Sequence, residues 1–322
     1  MNLQNTTFHN MPNHNIPDYF RKVSTESLFT TQTMTQCWPI WKVKIKSILG
    51  DNYNETDIIN LGDYLSEIFQ STGGDGRGQS QVSAGGTAWE SLVCWYINLC
   101  SIGSRTVAIK KMSLVPKPIQ DAITVNYGNF ACNTESDITV ITFPNKKEFI
   151  TDIEQLSIQN NGIPIEPFIR DKFNTEVSDY LCARDFDDLE IGIIQCKTNW
   201  NDNAQIPMLW DMIYSANGFR GRNITIGREG FNIHNANNFS YSFVTVPSNQ
   251  RANYNSNSVA VKRVTNLSGG NYWGKPSEQH VARSLKEIFT NNFQAGYINN
   301  IRADIRENLP KLGNELSYFN LI

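Results

Sequence analysis

Polar side chains that can take part in acid–base or metal-assisted chemistry stand in three otherwise apolar segments of the sequence. Asp137 lies at the start of the β-branched segment SDITVITF. Gln195, Cys196 and Lys197 lie near the end of the segment EIGIIQCKT, and Glu90 lies in the earlier segment TAWESLVCWYINLC. Carboxylate oxygens can hold a metal ion, and a lysine can orient or deprotonate a water molecule. We therefore predict that these side chains form a site for acid–base or metal-assisted chemistry at the ends of strands.

The spacing within EIGIIQCKT indicates where such a site would lie. Side chains alternate along a strand, so Ile191, Ile193, Gln195 and Lys197 share one face. That face begins apolar and ends with two polar side chains. Packing in a core gives no reason for this ending, whereas a site at the end of the strand does.

Hydrophobic periodicity predicts the elements that must position these residues. TAWESLVCWYINLCSIG has the spacing of a helix buried on most sides, with Thr87 as its N-cap and Glu90 at capping-box spacing. The predicted strands are 105–111, 136–143, 190–198 and 241–247, and the predicted intervening helix is 206–216. The resulting order of helix, three strands, helix and strand predicts an α/β fold with a mixed central sheet flanked by helices.

The remainder of the chain is predicted to surround this unit. Residues 1–70 are expected to form an N-terminal helical arm or subdomain, with a loosely packed start and two helices within 38–70. Residues 71–322 are expected to form the core, one compact unit with an insertion at 144–188 that holds two helices. The remaining predictions are a loop at 71–86, a short strand ITIG, a strand at VAVKRV (259–264), and C-terminal helices at 277–292 and 297–309.

The pattern of Asp137, Gln195 and Lys197 resembles the PD-(D/E)xK nuclease superfamily, and within it the type II restriction endonucleases. In that family an Asp opens one strand, and an acidic residue, one spacer and a Lys follow on the neighbouring strand. Asp137 matches the Asp, Lys197 matches the Lys, and Gln195 falls at the acidic position. Glu90 matches a Glu that many members carry on the preceding helix. The resemblance covers residues 85–250 and implies a restriction-endonuclease-like core.

The sequence departs from the family pattern in three respects. Ser136 stands where the motif has Pro, and Gln195 replaces the usual acid. Between Asp137 and Gln195 lie 57 residues, a longer span than the usual hairpin, which the proposed insertion at 144–188 accounts for.

The resemblance implies a Mg²⁺-dependent, sequence-specific endonuclease that cuts both strands of DNA. Because duplex sites are usually palindromic, it implies a homodimer, with a DNA methyltransferase as functional partner. Asp137, Gln195, the backbone carbonyl of Cys196 and Glu90 are the implied Mg²⁺ ligands, Glu90 either directly or through a metal-bound water. Lys197 would orient or help deprotonate the attacking water and offset phosphate charge.

The charge distribution bears on a nucleic-acid partner. The formal net charge of −3 and the pI near 5.9 alone argue against one. Residues 135–190, however, carry 13 acids and 5 bases, a charge of −8, whereas residues 218–263 carry 6 bases and 1 acid, a charge of +5. Candidate DNA-binding side chains lie in this basic stretch and in the Gly-rich loop: Arg77, Gln79, Gln81, Arg220, Arg222, Arg228, Arg251, Lys262 and Arg263.

Several other classes of protein are disfavoured. The apolar content of 40% fits a globular chain, and the longest apolar run, around residues 92–102, is too short to span a bilayer. The N-terminus lacks the pattern of a secretory signal, and the six cysteines form no CxxC pair, so we expect buried thiols in a cytoplasmic protein. The four histidines are scattered, which disfavours a zinc site or a Ser-His-Asp centre.

Two alternatives to the nuclease hypothesis remain open at this stage. A DNA-binding protein with the same fold that has lost catalysis is compatible with Gln at position 195. An unrelated α/β enzyme that acts on a small molecule is the second alternative.

Overall fold

The computed structural model describes residues 14–72, 79–132, 136–170, 172–198, 205–246, 257–264 and 301–322, together with positions 267, 269, 271, 272, 288 and 292. Side chains are not described at 79–84, 205–206, 260, 263 and 271–272. Arg77 and Arg251 lie outside the described residues, as does most of the predicted helix 277–292.

Four helices precede the Gly-rich segment: α1 (Ile16–Phe29), α2 (Gln32–Leu49), α3 (Glu55–Asn60) and α4 (Leu65–Gln70). Helix α1 begins at an Asn15 N-cap and buries Ile16, Phe20 and Leu28. The expectation of a loosely packed start is therefore wrong from residue 16 onward. Its polar composition concealed one apolar face at helical spacing, which is enough to hold the helix on the core.

Helix α5 (Gln79–Cys100) begins well before the predicted N-cap. Thr87 lies inside the helix, where its carbonyl accepts a hydrogen bond from the Ser91 hydroxyl at 2.8 Å. The predicted loop at 71–86 and the capping-box interpretation of Glu90 are both wrong for the described part of this segment. A glycine costs a helix only about 1 kcal/mol, and burial of residues such as Trp89 and Leu92 outweighs that cost.

The central sheet has five strands in the order β1 (Thr106–Ile109), β4 (Ile138–Thr142), β9 (Glu190–Lys197), β12 (Asn238–Thr245) and β13 (Asn271–Tyr272). Strand β4 is antiparallel to β1 and to β9, whereas β12 is parallel to β9 and to β13. Helix α9 (Gln205–Ser215) connects β9 to the second half of the chain. The chain is thus α/β with a mixed central sheet flanked by helices, and α5–β1–β4–β9–α9–β12 follows the predicted order.

Alternating side chains of the sheet feed two separate cores. On one face, Ile194 and Cys196 of β9 pack with α2, α4 and α5 in a core that includes Trp41, Trp89 and Trp95. On the other face, Ile191 and Ile193 pack with α1 and α9 and with two further helices, α6 (Lys117–Ile123) and α8 (Thr175–Arg184). The alternation predicted for β9 is therefore confirmed, and both faces of this strand are buried.

Helix α5 is attached to the edge strand β1 through the side chain of Asn98, which hydrogen-bonds to the backbone of Ala108. The Asn98 amide donates to the carbonyl of Ala108 at 2.8 Å and accepts from its N–H at 3.0 Å. The Ser24 hydroxyl of α1 donates to the same carbonyl at 2.7 Å. These bonds satisfy backbone groups that an edge strand leaves unpaired, and they set the position of α5 along β1.

The predicted insertion contains mostly small elements. They are helix α7 (Lys147–Ile150), the hairpin β5 (Ile158–Asn160) and β6 (Ile163–Ile165), the hairpin β7 (Phe168–Ile169) and β8 (Lys172–Phe173), and α8. The expected helix near 148–156 is thus shorter, and the second expected helix begins later, at Thr175. A second sheet has the order β10 (Gly218–Phe219), β11 (Ile224–Ile226), β2 (Val125–Tyr127) and β3 (Phe130–Cys132). Strand β11 confirms the ITIG prediction.

The segment VAVKRV forms helix α10 (Val259–Val264), so the prediction of a strand there is wrong. Val261 and Val264, three residues apart, are buried, whereas Val259 is exposed. The three-residue spacing therefore decided the structure over the β-branched composition. The last described helix is α11 (Ile301–Asn308), within the predicted 297–309. Among the described residues, no helix has the length and apolar character needed to cross a bilayer.

Candidate active site

The register of the central sheet brings the ends of three strands to one edge. Ile109 near the end of β1 pairs with Thr139 near the start of β4, and Ile138 pairs with Ile194 near the end of β9. The residues just beyond these pairs are Lys110, Asp137 and the triplet Gln195–Lys197. Helix α5 runs into β1 through a short turn, so its N-terminal half, with Glu90, returns to the same edge.

Asp137 is held against the end of β9 by two contacts. Its Oδ2 accepts a hydrogen bond from the backbone N–H of Cys196 at 2.7 Å and lies 3.6 Å from Nζ of Lys197. The side chains of Asp137 and Lys197 are 17% and 24% exposed, so they lie at the surface of the core with limited access to water. The structure thus brings together the two residues on which the sequence motif rests.

Glu90 contacts a residue that sequence reasoning missed. Lys110 donates to Oε2 of Glu90 at 3.0 Å, and both side chains are about one-fifth exposed. Lys110 lies within the predicted strand RTVAIKK, 105–111, and directly follows the observed strand β1, which pairs with the strand that Asp137 precedes. Without a known register, nothing distinguished it from Lys111.

The four charged side chains influence one another. Burial raises the pKa of Glu90, the charge of Asp137 raises it further, and Lys110 and Lys197 offset part of this rise. Burial likewise raises the pKa of Asp137, against the opposing effects of Lys197, the Cys196 N–H and Lys110. We name Glu90, Lys110, Asp137 and Lys197 the charged cluster: two carboxylates and two ammonium groups whose formal charges cancel.

Gln195 occupies a different environment from the charged cluster. Its side chain is fully buried, and its Oε1 accepts a hydrogen bond from the hydroxyl of Tyr241 on β12 at 2.5 Å. Its Nε2 is buried and has no hydrogen-bond partner among the residues that the structure describes. No hydrogen bond or ion pair joins Gln195 to the charged cluster among the described residues. Tyr241 is the second residue missed by sequence reasoning, because its pairing with Gln195 depends on the parallel register of β9 and β12.

The backbone of Cys196 supports the predicted use of its carbonyl. Both backbone polar groups of a strand residue point to the same neighbouring strand, so this carbonyl shares the side on which the N–H bonds Asp137. The β4–β9 ladder stops at the Ile138–Ile194 pair, before Cys196 is reached. The thiol itself is buried, and burial, together with the charges of Asp137 and Glu90, raises its pKa well above the ordinary value. A thiolate nucleophile at Cys196 is therefore disfavoured.

The oxygen atoms of the charged cluster fit a hard divalent cation. Oδ1 of Asp137 and Oε1 of Glu90 carry no hydrogen bond within the described residues, and the Cys196 carbonyl points to the side of β9 on which Asp137 lies. Within the same part of the chain no group of three or more His, Cys, Asp and Glu forms, so an all-protein cage is not offered. Two carboxylates with one carbonyl and several waters is a donor set typical of Mg²⁺.

The predicted DNA-binding residues fall into three groups. Arg220 and Arg222 are exposed in a short 3₁₀ helix that connects β10 to β11 of the second sheet, and Lys262 is exposed on α10. Arg228 instead donates to the buried carboxylate of Asp121, which fixes it to α6. The side chains of the remaining candidates lie outside the described residues: Arg77, Gln79, Gln81, Arg251 and Arg263.

All six cysteines are free thiols, and four of them are buried, as expected: Cys94, Cys100, Cys182 and Cys196.

Comparison with known proteins finds no family model that matches this chain and no curated protein with significant similarity to it.

Proposed function

We propose that this protein is a Mg²⁺-dependent endonuclease that cuts both strands of DNA at specific sequences, a type II restriction enzyme of the PD-(D/E)xK kind. The observation that carries the proposal is the contact between Asp137 and Lys197, which are more than 57 residues apart in the chain. Nζ of Lys197 lies 3.6 Å from Oδ2 of Asp137, and the two residues stand at the ends of adjacent strands. A chance x-Lys ending after an apolar strand has no reason to find the motif's Asp on the neighbouring strand.

Two further features support the proposal. The element order α5–β1–β4–β9–α9–β12, with β12 parallel to β9, is what the resemblance to a restriction-endonuclease-like core implies. Glu90, on the helix that precedes the strands, lies in the interior of α5 rather than at its N-terminus. It therefore has no capping role there, and the charge of Asp137, which raises the pKa of Glu90, supports a place for Glu90 in the site.

The chain's own residues would divide the work as follows. Asp137, Glu90 and the Cys196 carbonyl would hold Mg²⁺, which when bound polarises a phosphoryl oxygen and lowers the pKa of a coordinated water. Lys197, beside Asp137, orients the attacking water and offsets the charge that develops on the phosphate. The apolar cores on both faces of β9 hold these groups in place, so little reorganisation accompanies the reaction.

Gln195 takes the acidic position of the motif in a modified role. Amide oxygen and nitrogen are interchangeable by rotation about the last side-chain bond, and a tyrosine hydroxyl can either donate or accept. With the amide turned, Nε2 would donate to Tyr241 and Oε1 would take the buried position that now has no partner. A neutral oxygen ligand at Gln195 is therefore compatible with the motif.

The partners follow from the same proposal. Double-stranded DNA would contact Arg220, Arg222 and Lys262, which are exposed, whereas Arg228 serves the fold through Asp121. A homodimer would cut both strands of a palindromic site, in the cytoplasm and beside a DNA methyltransferase of the same specificity.

The second candidate function is sequence-specific DNA binding without cleavage. The observation in its favour is that the amide oxygen of Gln195, at the position of a second metal-binding acid, is hydrogen-bonded to Tyr241 in this structure.

Plasmid and genomic DNA digestion with mapping of the cut ends distinguishes the two functions. We expect defined ends in Mg²⁺, none in EDTA, and none with Lys197→Ala. Lys111→Ala is the matched control, because Lys111 is exposed and forms no ion pair within the described residues. Specific binding without cleavage in Mg²⁺, Mn²⁺ or Co²⁺ would favour the second function, and neither binding nor cleavage would refute both.

A further inference from the structure

Lys110 occupies a position that a metal-binding site cannot tolerate unchanged. Its ammonium group lies 3.0 Å from Oε2 of Glu90, and it acts electrostatically on Asp137 as well. A divalent cation held by these two carboxylates would meet an ammonium group within a few ångströms. Like charges at such distances repel strongly in a partly buried site.

The charge balance of the cluster points to the same conflict. Two carboxylates and two lysines cancel, so the cluster as it stands presents no net attraction to a cation or to a phosphate. Addition of a divalent cation changes the formal charge of the cluster to +2. Of the two lysines, Lys110 is the one whose backbone lies outside a strand, because it follows the last residue of β1, whereas Lys197 is the last residue of β9 and lies beside Asp137 at the start of β4.

Resting on the proposed function, we infer that Lys110 is a switching residue: Mg²⁺ displaces its ammonium group from Glu90, and the released group then contacts a DNA phosphate beside the one that is cut. Before metal binding, the Glu90–Lys110 ion pair keeps the site neutral and lowers its affinity for DNA. After metal binding, Lys110 adds a phosphate contact that did not exist before. Metal and DNA binding are thereby coupled through one side chain.

Lysine labelling of the wild-type protein is the first test. Amine acetylation followed by tandem mass spectrometry measures the reactivity of Lys110 and of its neighbour Lys111 in one peptide. We expect Mg²⁺ without DNA to increase labelling of Lys110 severalfold, Lys111 to remain unchanged, and added DNA to reverse the increase. The Asp137→Asn protein should show no Mg²⁺ effect, because it lacks a charged ligand.

Titration calorimetry with Mn²⁺ alone is the second test. Lys110→Met should bind Mn²⁺ more tightly than wild type, by about threefold, because the partly exposed Glu90–Lys110 ion pair no longer competes with the metal ion. In Ca²⁺ the same variant should bind cognate DNA more weakly, with a salt slope smaller by about one. Lys111→Met is the matched control and should match wild type in both measurements.

The outcomes separate this inference from the proposed function. A wild-type protein that binds Mn²⁺ and cuts DNA, but whose Lys110 labelling and Lys110→Met affinities do not change, refutes the switching role alone. A wild-type protein that neither binds Mn²⁺ nor cuts DNA refutes the proposed function and the inference with it. Lower Mn²⁺ affinity in Lys110→Met would also refute the inference, since it would make Lys110 a support of the site rather than a competitor.

Discussion

Asp137 and Asp185 offer a matched pair of substitutions, because their environments shift the two pKa values in opposite directions. Burial raises the pKa of Asp137. Burial also opposes ionisation of Asp185, but hydrogen bonds from Arg184 and Lys146 outweigh it and lower the pKa of Asp185 below its ordinary value. Ionisation of Asp137 therefore destabilises the folded state at neutral pH, whereas ionisation of Asp185 stabilises it.

The expected magnitudes follow from the contacts. Asp137→Asn keeps an acceptor for the Cys196 N–H and loses about 1 kcal/mol of charge-assisted hydrogen bonding, which relief of the buried charge offsets. We therefore expect the free energy of unfolding to change by less than about 1 kcal/mol. Asp185→Asn breaks contacts to Arg184 and Lys146, both more than one-third exposed, at a cost of about 2–3 kcal/mol.

Thermal unfolding without metal and single-turnover cleavage with Mg²⁺ form the assay. Asp137→Asn should retain the wild-type Tm and lose at least about 10³ in cleavage rate, because a charged metal ligand is gone. Asp185→Asn should lower Tm by about 3–5 °C and leave cleavage per folded molecule within about twofold. The pH dependence adds a check: as pH falls through the raised pKa of Asp137, wild type gains stability relative to Asp137→Asn.

The result that would refute this reasoning is equally specific. If Asp137→Asn were destabilised as strongly as Asp185→Asn while cleavage survived, Asp137 would be a structural residue at the end of β9. The raised pKa would then have no functional meaning. Wild type must also lose stability relative to Asp137→Asn as pH rises through the raised pKa, and the opposite sign would contradict the burial argument.

Three further substitutions test other parts of the site. Lys197→Met should lower the single-turnover rate by about 10²–10⁴, because its role is in water activation. Asn98→Ala should cost about 1–3 kcal/mol in urea denaturation, because the buried N–H of Ala108 loses its partner while its carbonyl keeps the Ser24 hydroxyl, and wild-type stability would contradict this. Tyr241→Phe should cost about 1–3 kcal/mol by leaving the Gln195 amide unpaired, and an unchanged urea midpoint would count against the Tyr241 hydrogen bond.

The sequence predicted those elements whose signals were long and regular. Strands β4 and β9 and helix α9 lie where periodicity places them, because burial on one or both faces gave continuous apolar patterns. The start of α5 and the helix α10 were mispredicted for opposite reasons. Glycines in α5 suggested a loop that packing overrode, and valines in α10 suggested a strand that a three-residue spacing overrode.

The candidate site was predictable only as far as each residue belonged to a local pattern. Asp137 and Lys197 could be found because each lies at the end of a recognisable strand. Lys110 and Tyr241 could not, because their relevance arises from strand register, which no single segment encodes. A pairing shifted by one residue would place Lys111 rather than Lys110 opposite Ile138.

The cost of the charged cluster to stability explains the arrangement of the structure around it. Two carboxylates with raised pKa values, and the buried Nε2 of Gln195, which has no partner among the described residues, all destabilise the folded state at one edge of the sheet. A site selected for stability alone would replace them with apolar side chains such as those of Ile191, Ile193 and Ile194 on β9. Two apolar cores, one on each face of the sheet, offset this cost and restrict the movement of the strand ends. Preorganised catalysis requires polar groups that are held rigidly even though they destabilise the folded state. The edge where β1, β4 and β9 end has such groups and is therefore the site to test first.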